Sequence, residues 1–216
     1  MRVLAIADTH GNFSKIPAIL ERAGEVDAIL VAGDMTNFGP DRKARELLDV
    51  LVASCKRVMA VPGNCDPRGV LKVIQNSGVI SLHDSALTLN DITFIGLGGS
   101  NPTPFGTPFE LSEAEIKEIL SRLLGKASGR IVLLSHAPPR NTLDATAHGN
   151  VGSVAIREIL DYVDLVICGH IHEARGIQKV GDTQIVNPGP AAKGFAALIT
   201  INKEIKTELI GLKMKL

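Results

Sequence analysis

Five short apolar runs, rich in β-branched residues, punctuate this chain, and each ends in residues of metal-binding type. Residues 3–7 run into Asp8 and His10, residues 28–32 into Gly33 and Asp34, and residues 58–61 into Gly63, Asn64, Cys65 and Asp66. Farther on, residues 131–134 lead to Ser135 and His136, and residues 165–168 lead to Gly169, His170 and His172. Short continuous apolar runs read as strands buried on both faces, and in open α/β sheets ligands bind beyond the carboxyl ends of such strands. A single Asp or His after a strand is ordinarily a turn former or a helix cap. Five such ends in succession are read instead as one crevice lined by metal ligands.

Helical patterns separate the runs. Ser14 is expected to cap a helix reaching Gly24, with Ile16, Ile19, Leu20 and Ala23 on its inner face. Residues 41–53 carry Ala44, Leu47, Leu48 and Leu51 at helical spacing. Ser112 and Glu115 make a capping-box pattern ahead of Ile116, Ile119, Leu120 and Leu123, with Gly125 as the stop, and another helix is expected over 153–162. The pattern then changes to strands over 174–180, 183–186, 196–201 and 204–210, separated by turn sequences, which predicts an antiparallel C-terminal part. Residues 87–97 predict a hairpin turning at Asn90 and Asp91. The simplest assembly is an α/β fold of two packed mixed sheets with helices outside, the strand ends meeting at one edge, and residues 1–216 forming one domain.

Composition narrows the function classes. With 216 residues, 45% of them apolar, the chain can bury a full core. Lys plus Arg equals Asp plus Glu at 23 each, so no net field gathers a nucleic-acid duplex or an anionic membrane. A small substrate is expected, and the oligomeric state is left open, a homodimer included. Cys55, Cys65 and Cys168 are odd in number and scattered, which points to a reducing compartment rather than a disulfide framework. With no run near the ~20 apolar residues that span a bilayer and no signal-like segment, the expected location is the cytoplasm.

Charge arithmetic gives the crevice a chemistry. Two divalent ions bring four positive charges; Asp8, Asp34 and a bridging hydroxide remove three, while histidines and Asn64 are neutral donors. The surplus of about one suits a phosphate ester anion attacked in line by the hydroxide, with the ions roughly 3.5–4 Å apart. Asp34 is the natural bridge.

In order and residue type these segments resemble the calcineurin-like metallophosphoesterases, whose pattern Asp-x-His, Gly-Asp, Gly-Asn-His-Asp/Glu, His, Gly-His-x-His runs over nearly the whole chain. The resemblance implies a four-layer αββα sandwich. It further implies that Asp8, His10, Asp34 and His172 hold one divalent transition-metal ion, and that Asp34, Asn64, His136 and His170 hold a second. Manganese is the first expectation for the metal, with iron, zinc or nickel as the others. The implied activity is hydrolysis of a small phosphodiester or cyclic nucleotide. The alternatives are a phosphomonoesterase and a noncatalytic interaction module of the same fold.

One position departs from the pattern. Cys65 stands where family members carry a histidine that contacts phosphate and protonates the leaving oxygen. A thiol is a weak donor, and general acid catalysis is worth typically ~10²–10⁴-fold, so poor leaving groups should suffer most. Cys65 is assigned to substrate contact or space filling, with Asn12 and Arg140 as further substrate contacts. Asn64, Asp66 and His148 complete the catalytic set. Of these, Asp66 is expected either to orient a neighbour or, preferably, to cap a helix beginning near Pro67, and His148 to reach the site from a loop.

Overall fold

The computed structural model describes residues 1–212 and contains two six-stranded sheets. Their strands, in chain order, are β1 (Arg2–Ile6), β2 (Ala28–Ala32), β3 (Val58–Val61), β4 (Ile80–Ser81), β5 (Ser85–Leu89), β6 (Ile92–Leu97), β7 (Arg130–Ser135), β8 (Ala145–Thr146), β9 (Gly149–Asn150), β10 (Leu165–Ile167), β11 (Gly176–Val180), β12 (Thr183–Asn187), β13 (Phe195–Ile201) and β14 (Ile205–Gly211). One sheet has the order β14-β13-β1-β2-β3-β4 and the other β11-β12-β10-β7-β6-β5, while β8 and β9 form a small separate hairpin. The helices are α1 (Ile16–Ala23), α2 (Arg42–Ser54), α3 (Val70–Gln75), α4 (Glu113–Leu124) and α5 (Val154–Glu158).

Strand alternation builds the layers. Along β1, Val3 and Ala5 point into a core shared with Val132, Leu134, Leu165 and Ile167 of the second sheet. Leu4 and Ile6 point the other way, against Ile19 of α1 and Leu47 and Leu51 of α2. On the far side, Leu133 and Val166 pack on Ile116 and Leu120 of α4 and Ile156 of α5. Strands covered on both faces must be apolar at every position, which is why the five runs read as continuous rather than alternating. The result is the four-layer αββα sandwich, with β1, β2 and β3 mutually parallel and β7 parallel to both β6 and β10.

Several local expectations change. Ser14 does not cap α1: its N–H and O–H both donate to the Asn12 side-chain oxygen, and the helix starts one residue later, after Lys15. Asp66 does not cap α3, whose N-terminal flanking residue is Gly69. The segment over 153–162 is α5 followed by a 3-10 turn, Leu160–Tyr162, broken at Ile159. The Ser112–Glu115 capping box is present as read. The C-terminal strands are not uniformly antiparallel. β13 and β14 extend the first sheet, whereas β11 and β12 join the second, with β12 parallel to β10. The buried β12 takes the interior place and the alternately exposed β11 the edge, because a strand apolar on both faces must be covered on both.

Candidate metal centre

The carboxyl ends of β1, β2 and β3 from one sheet and of β7 and β10 from the other deliver all seven expected donors to one place. Near the first sheet, His10 Nε2 lies 3.1 Å from His172 Nε2, 3.9 Å from Asp8 Oδ1 and 3.7 Å from Asp34 Oδ2. His172 Nε2 lies 3.5 Å from Asp8 Oδ1. On the other side of Asp34, His136 Nε2 is 3.4 Å from Asp34 Oδ1 and 2.9 Å from Asn64 Oδ1. The His170 ring stands edge-on to His136 with centroids 5.1 Å apart, and its backbone N–H donates to the Asp8 carboxylate. The two oxygens of Asp34 therefore face different histidines.

Local backbone makes this convergence possible. Asp8, His10, Asp34 and His170 all have positive φ, between 46° and 70°, a region that non-glycine residues adopt at a cost and that clusters at functional sites. Glycines supply the closeness. A Cβ on Gly63 would collide with the Asp34 carboxylate, and one on Gly169 would come within 2.6 Å of Asp8 Oδ2.

Surrounding groups fix the orientation of the donors. His136, fully buried, has its Nδ1 2.8 Å from the Ala32 carbonyl, which keeps the Nδ1 proton and turns Nε2 toward the cluster. Asn64 Nδ2 donates to Thr107 Oγ1, so Asn64 presents its oxygen to His136. Asp66, completely buried, accepts N–H bonds from Met35, Thr36 and Gly63, tying together the loops that carry Asp34 and Asn64. Burial, then the Asp34 charge, pushes the Asp66 carboxyl up to about 6.

Two buried carboxylates side by side draw positive charge inward. Burial alone would raise the Asp34 carboxyl, but His136, His10 and the Cys65 N–H outweigh it and hold Asp34 well below the usual carboxylate range. For His136, burial is outweighed by the Asp34 and Asp8 charges, and its imidazole rises to about 9. The hydrogen bond to Asp8 raises His172, whereas burial, then His136, lowers His170 to about 4. A cation among these groups answers the same demand. The donors are carboxylate oxygens, an amide oxygen and imidazole nitrogens, a set that suits divalent transition metals. Asp8, His10 and His172, and separately Asp8, Asp34 and His136, each have donor atoms close enough to hold one ion. The residues present fit the metals.

Cys65 lies in the same cluster, half-buried, its Sγ grouped with His10 and Asp34 and its N–H donating to Asp34 Oδ1. Burial, then Asp34, pushes its thiol up. The remaining candidates stand apart. Asn12 is exposed and its side-chain oxygen is taken by Ser14. Arg140 is exposed, with its backbone N–H bonded to the Ser153 carbonyl. His148 is exposed at the tip of the β8–β9 hairpin, which packs beside the turn His172–Ala174. Among the described residues, none of these three shares a hydrogen bond or ion pair with the cluster. Thr107 escaped sequence reading, because its link to Asn64 spans 43 residues and leaves no local signal.

Fold and site define a calcineurin-like phosphoesterase: the profile of that family matches residues 1–174, and the chain belongs to it. An uncharacterised protein of Methanocaldococcus jannaschii is 39% identical over 198 residues, covering 88% of each chain. A solved Thermus thermophilus structure superposes with a TM-score of 0.76 at 17% identity, over 96% of this chain and 97% of that one. A Mycobacterium tuberculosis phosphopantetheinyl hydrolase does so with a TM-score of 0.65 at 16% identity, over 87% and 88%. At those identities the two structures establish the shared fold. No helix among the described residues is long and apolar enough to cross a membrane.

Proposed function

We propose that this chain is a dinuclear phosphodiesterase acting on a small phosphodiester or cyclic nucleotide. Asp34 carries the reading, because its two oxygens face His10 on one side and His136 on the other. Asp8, His10, Asp34 and His172 would hold one ion, and Asp34, Asn64, His136 and His170 the other. Manganese is the proposed metal, with iron, zinc or nickel as substitutes. When bound, the ions would neutralise phosphate charge and activate water for attack.

The chain's own residues set the terms of that reaction. The Ala32 carbonyl and Thr107 keep His136 and Asn64 in their donor orientations, and Asp66 holds the two loops in register. Cys65, beside Asp34 and His10, is the group nearest the histidine position of the family pattern, and a thiol gives little help to a leaving oxygen. Esters whose leaving groups need no proton are therefore favoured: aryl diesters and strained cyclic diesters over alkyl monoesters. His148, Asn12 and Arg140 are proposed as rim contacts that substrate binding would recruit. The proposed unit is one domain over residues 1–216, working in the cytoplasm, with a homodimer left open. The fold shared with a phosphopantetheinyl hydrolase supports a hydrolase reading.

The test is a side-by-side rate measurement on manganese-loaded protein, using bis(nitrophenyl) phosphate and an alkyl phosphomonoester. Turnover of the diester at least about tenfold faster is expected. A clear preference for the monoester overturns the diester reading.

A further inference from the structure

The segment between β6 and α4 repeats itself: Thr103-Pro104-Phe105 is followed, after Gly106, by Thr107-Pro108-Phe109 and then by Glu110. Both threonines turn to one acceptor. Glu110 Oε1 accepts the Thr103 and Thr107 hydroxyls at 2.6 Å each and the Thr107 N–H at 2.7 Å. Burial raises the Glu110 carboxyl, but the threonine bonds outweigh it and hold it at about 2, so the acceptor is a carboxylate. The loop is tied to the metal centre twice. The Phe109 N–H donates to the Asn64 carbonyl at 3.1 Å, and Asn64 Nδ2 donates to Thr107 Oγ1 at 3.1 Å.

The direction of these bonds decides which end of the Asn64 amide faces the cluster. A carboxylate only accepts, and a threonine hydroxyl has one proton to give. With that proton donated to Glu110, Thr107 meets Asn64 with lone pairs, and only the NH2 end of the amide can turn toward it. The amide oxygen is left on the side of His136, 2.9 Å from Nε2. In neutral His136 the Nδ1 proton lies on the Ala32 carbonyl, so Nε2 and Asn64 Oδ1 are both lone-pair atoms and need a proton or a cation beside them. An amide reversed by half a turn would present N–H groups there, the wrong sign for a metal ligand. Thr107 alone does not prevent the reversal, because a hydroxyl freed from Glu110 can donate to the reversed oxygen.

We propose that Glu110 is a positioning residue for the metal centre: acting through Thr107, it fixes the Asn64 amide with its oxygen toward the ion held together with His136. This rests on the dinuclear reading and adds to it a residue two hydrogen bonds behind the ligand. Partners of this kind are worth typically ~10–100-fold in metal affinity.

The experiment is a calorimetric titration of chelator-stripped protein with manganese, resolving the two binding steps. Glu110→Met, which keeps the length and loses the acceptor, and Thr107→Val, which keeps the shape and loses the hydroxyl, should each weaken one step about tenfold and leave the other unchanged. Glu110→Gln, whose amide oxygen accepts the same three bonds, should restore most of the loss. Asn64→Asp presents an oxygen whichever way it rotates, so in that background Thr107→Val should cost nothing further. A Thr107→Val cost that persists in the Asn64→Asp background overturns the proposal, as do both steps weakened equally, neither weakened, or a Gln variant as weak as Met. Should Glu110→Met fail to fold, the Thr107→Val and Asn64→Asp pair decides the matter alone. If the wild-type protein takes up a single ion, the dinuclear reading falls and the same pair is read on that step: a dependence on Thr107 that Asn64→Asp removes upholds the positioning role, and indifference overturns it.

Discussion

Replacing Asp66 tests whether the metal loops are held in register by one buried carboxylate. Oδ2 accepts the Met35 N–H at 3.1 Å and the Gly63 N–H at 2.8 Å, and Oδ1 accepts the Thr36 N–H at 2.7 Å, all without solvent contact. Asp66→Ala leaves three buried donors unpaired, and each such group costs roughly 1–3 kcal/mol. The losses share one site and do not add fully, so about 3–5 kcal/mol of destabilisation is expected. Asp66→Asn can place its oxygen where Oδ2 sits and keep two of the three bonds, which limits the cost to roughly 1–3 kcal/mol. Urea unfolding of chelated protein, followed by circular dichroism, measures both without metal linkage. Metal content at fixed free manganese measures the second consequence, since the loops carrying Asp34 and Asn64 lose their shared anchor. A cost below about 1 kcal/mol for Asp66→Ala, well under what three orphaned donors require, or equal costs for the two variants, refutes the reasoning.

Asp34→Asn should lower metal content and turnover more than Asp8→Asn, because the two oxygens of Asp34 lie 3.7 and 3.4 Å from His10 and His136, whereas the imidazole nitrogens within 4 Å of Asp8 are those of His10 and His172; elemental analysis finding at most one ion per wild-type chain, with activity indifferent to a chelator, contradicts this. Cys65→Ala should keep aryl diester hydrolysis within about tenfold, ~1.4 kcal/mol of barrier, while Cys65→His raises the rate on poor leaving groups far more than on aryl ones. A Cys65→Ala protein that holds two metals yet is dead on every substrate sinks that account. His83, whose Nδ1 accepts the Gly98 N–H at 3.0 Å, is lowered by burial, so the unfolded chain binds its proton more readily than the folded one. Its stabilisation is present above the ordinary histidine pKa of about 6.5 and is lost as pH falls through the folded value, so the stability difference between wild type and His83→Gln should shrink on acidification below that point, read by urea midpoints. A difference that grows on acidification rules it out.

Much of this molecule is legible in residues adjacent along the chain. Strands covered on both faces have to be apolar throughout, and a ligand at a strand end is one or two peptide units from that strand, so the pairs 3–7 with Asp8 and 28–32 with Asp34 carry fold and donor in one local signal. The capping box at Ser112 is equally local. What the sequence leaves open is whatever depends on partners brought together by packing. The tautomer of His136 is set by the Ala32 carbonyl 104 residues away, and the orientation of Asn64 by Thr107. Asp66 follows a helix-capping pattern in sequence, yet the fold delivers three other N–H groups to it first. The C-terminal strands have ordinary hairpin turns, but which sheet each pair joins is decided by which faces the rest of the protein can cover. The left-handed backbone at Asp8, His10, Asp34 and His170 is not specified by the sequence, because Asp and His only tolerate that region better than most residues, and the strand-end loops of two sheets packed face to face decide where they adopt it.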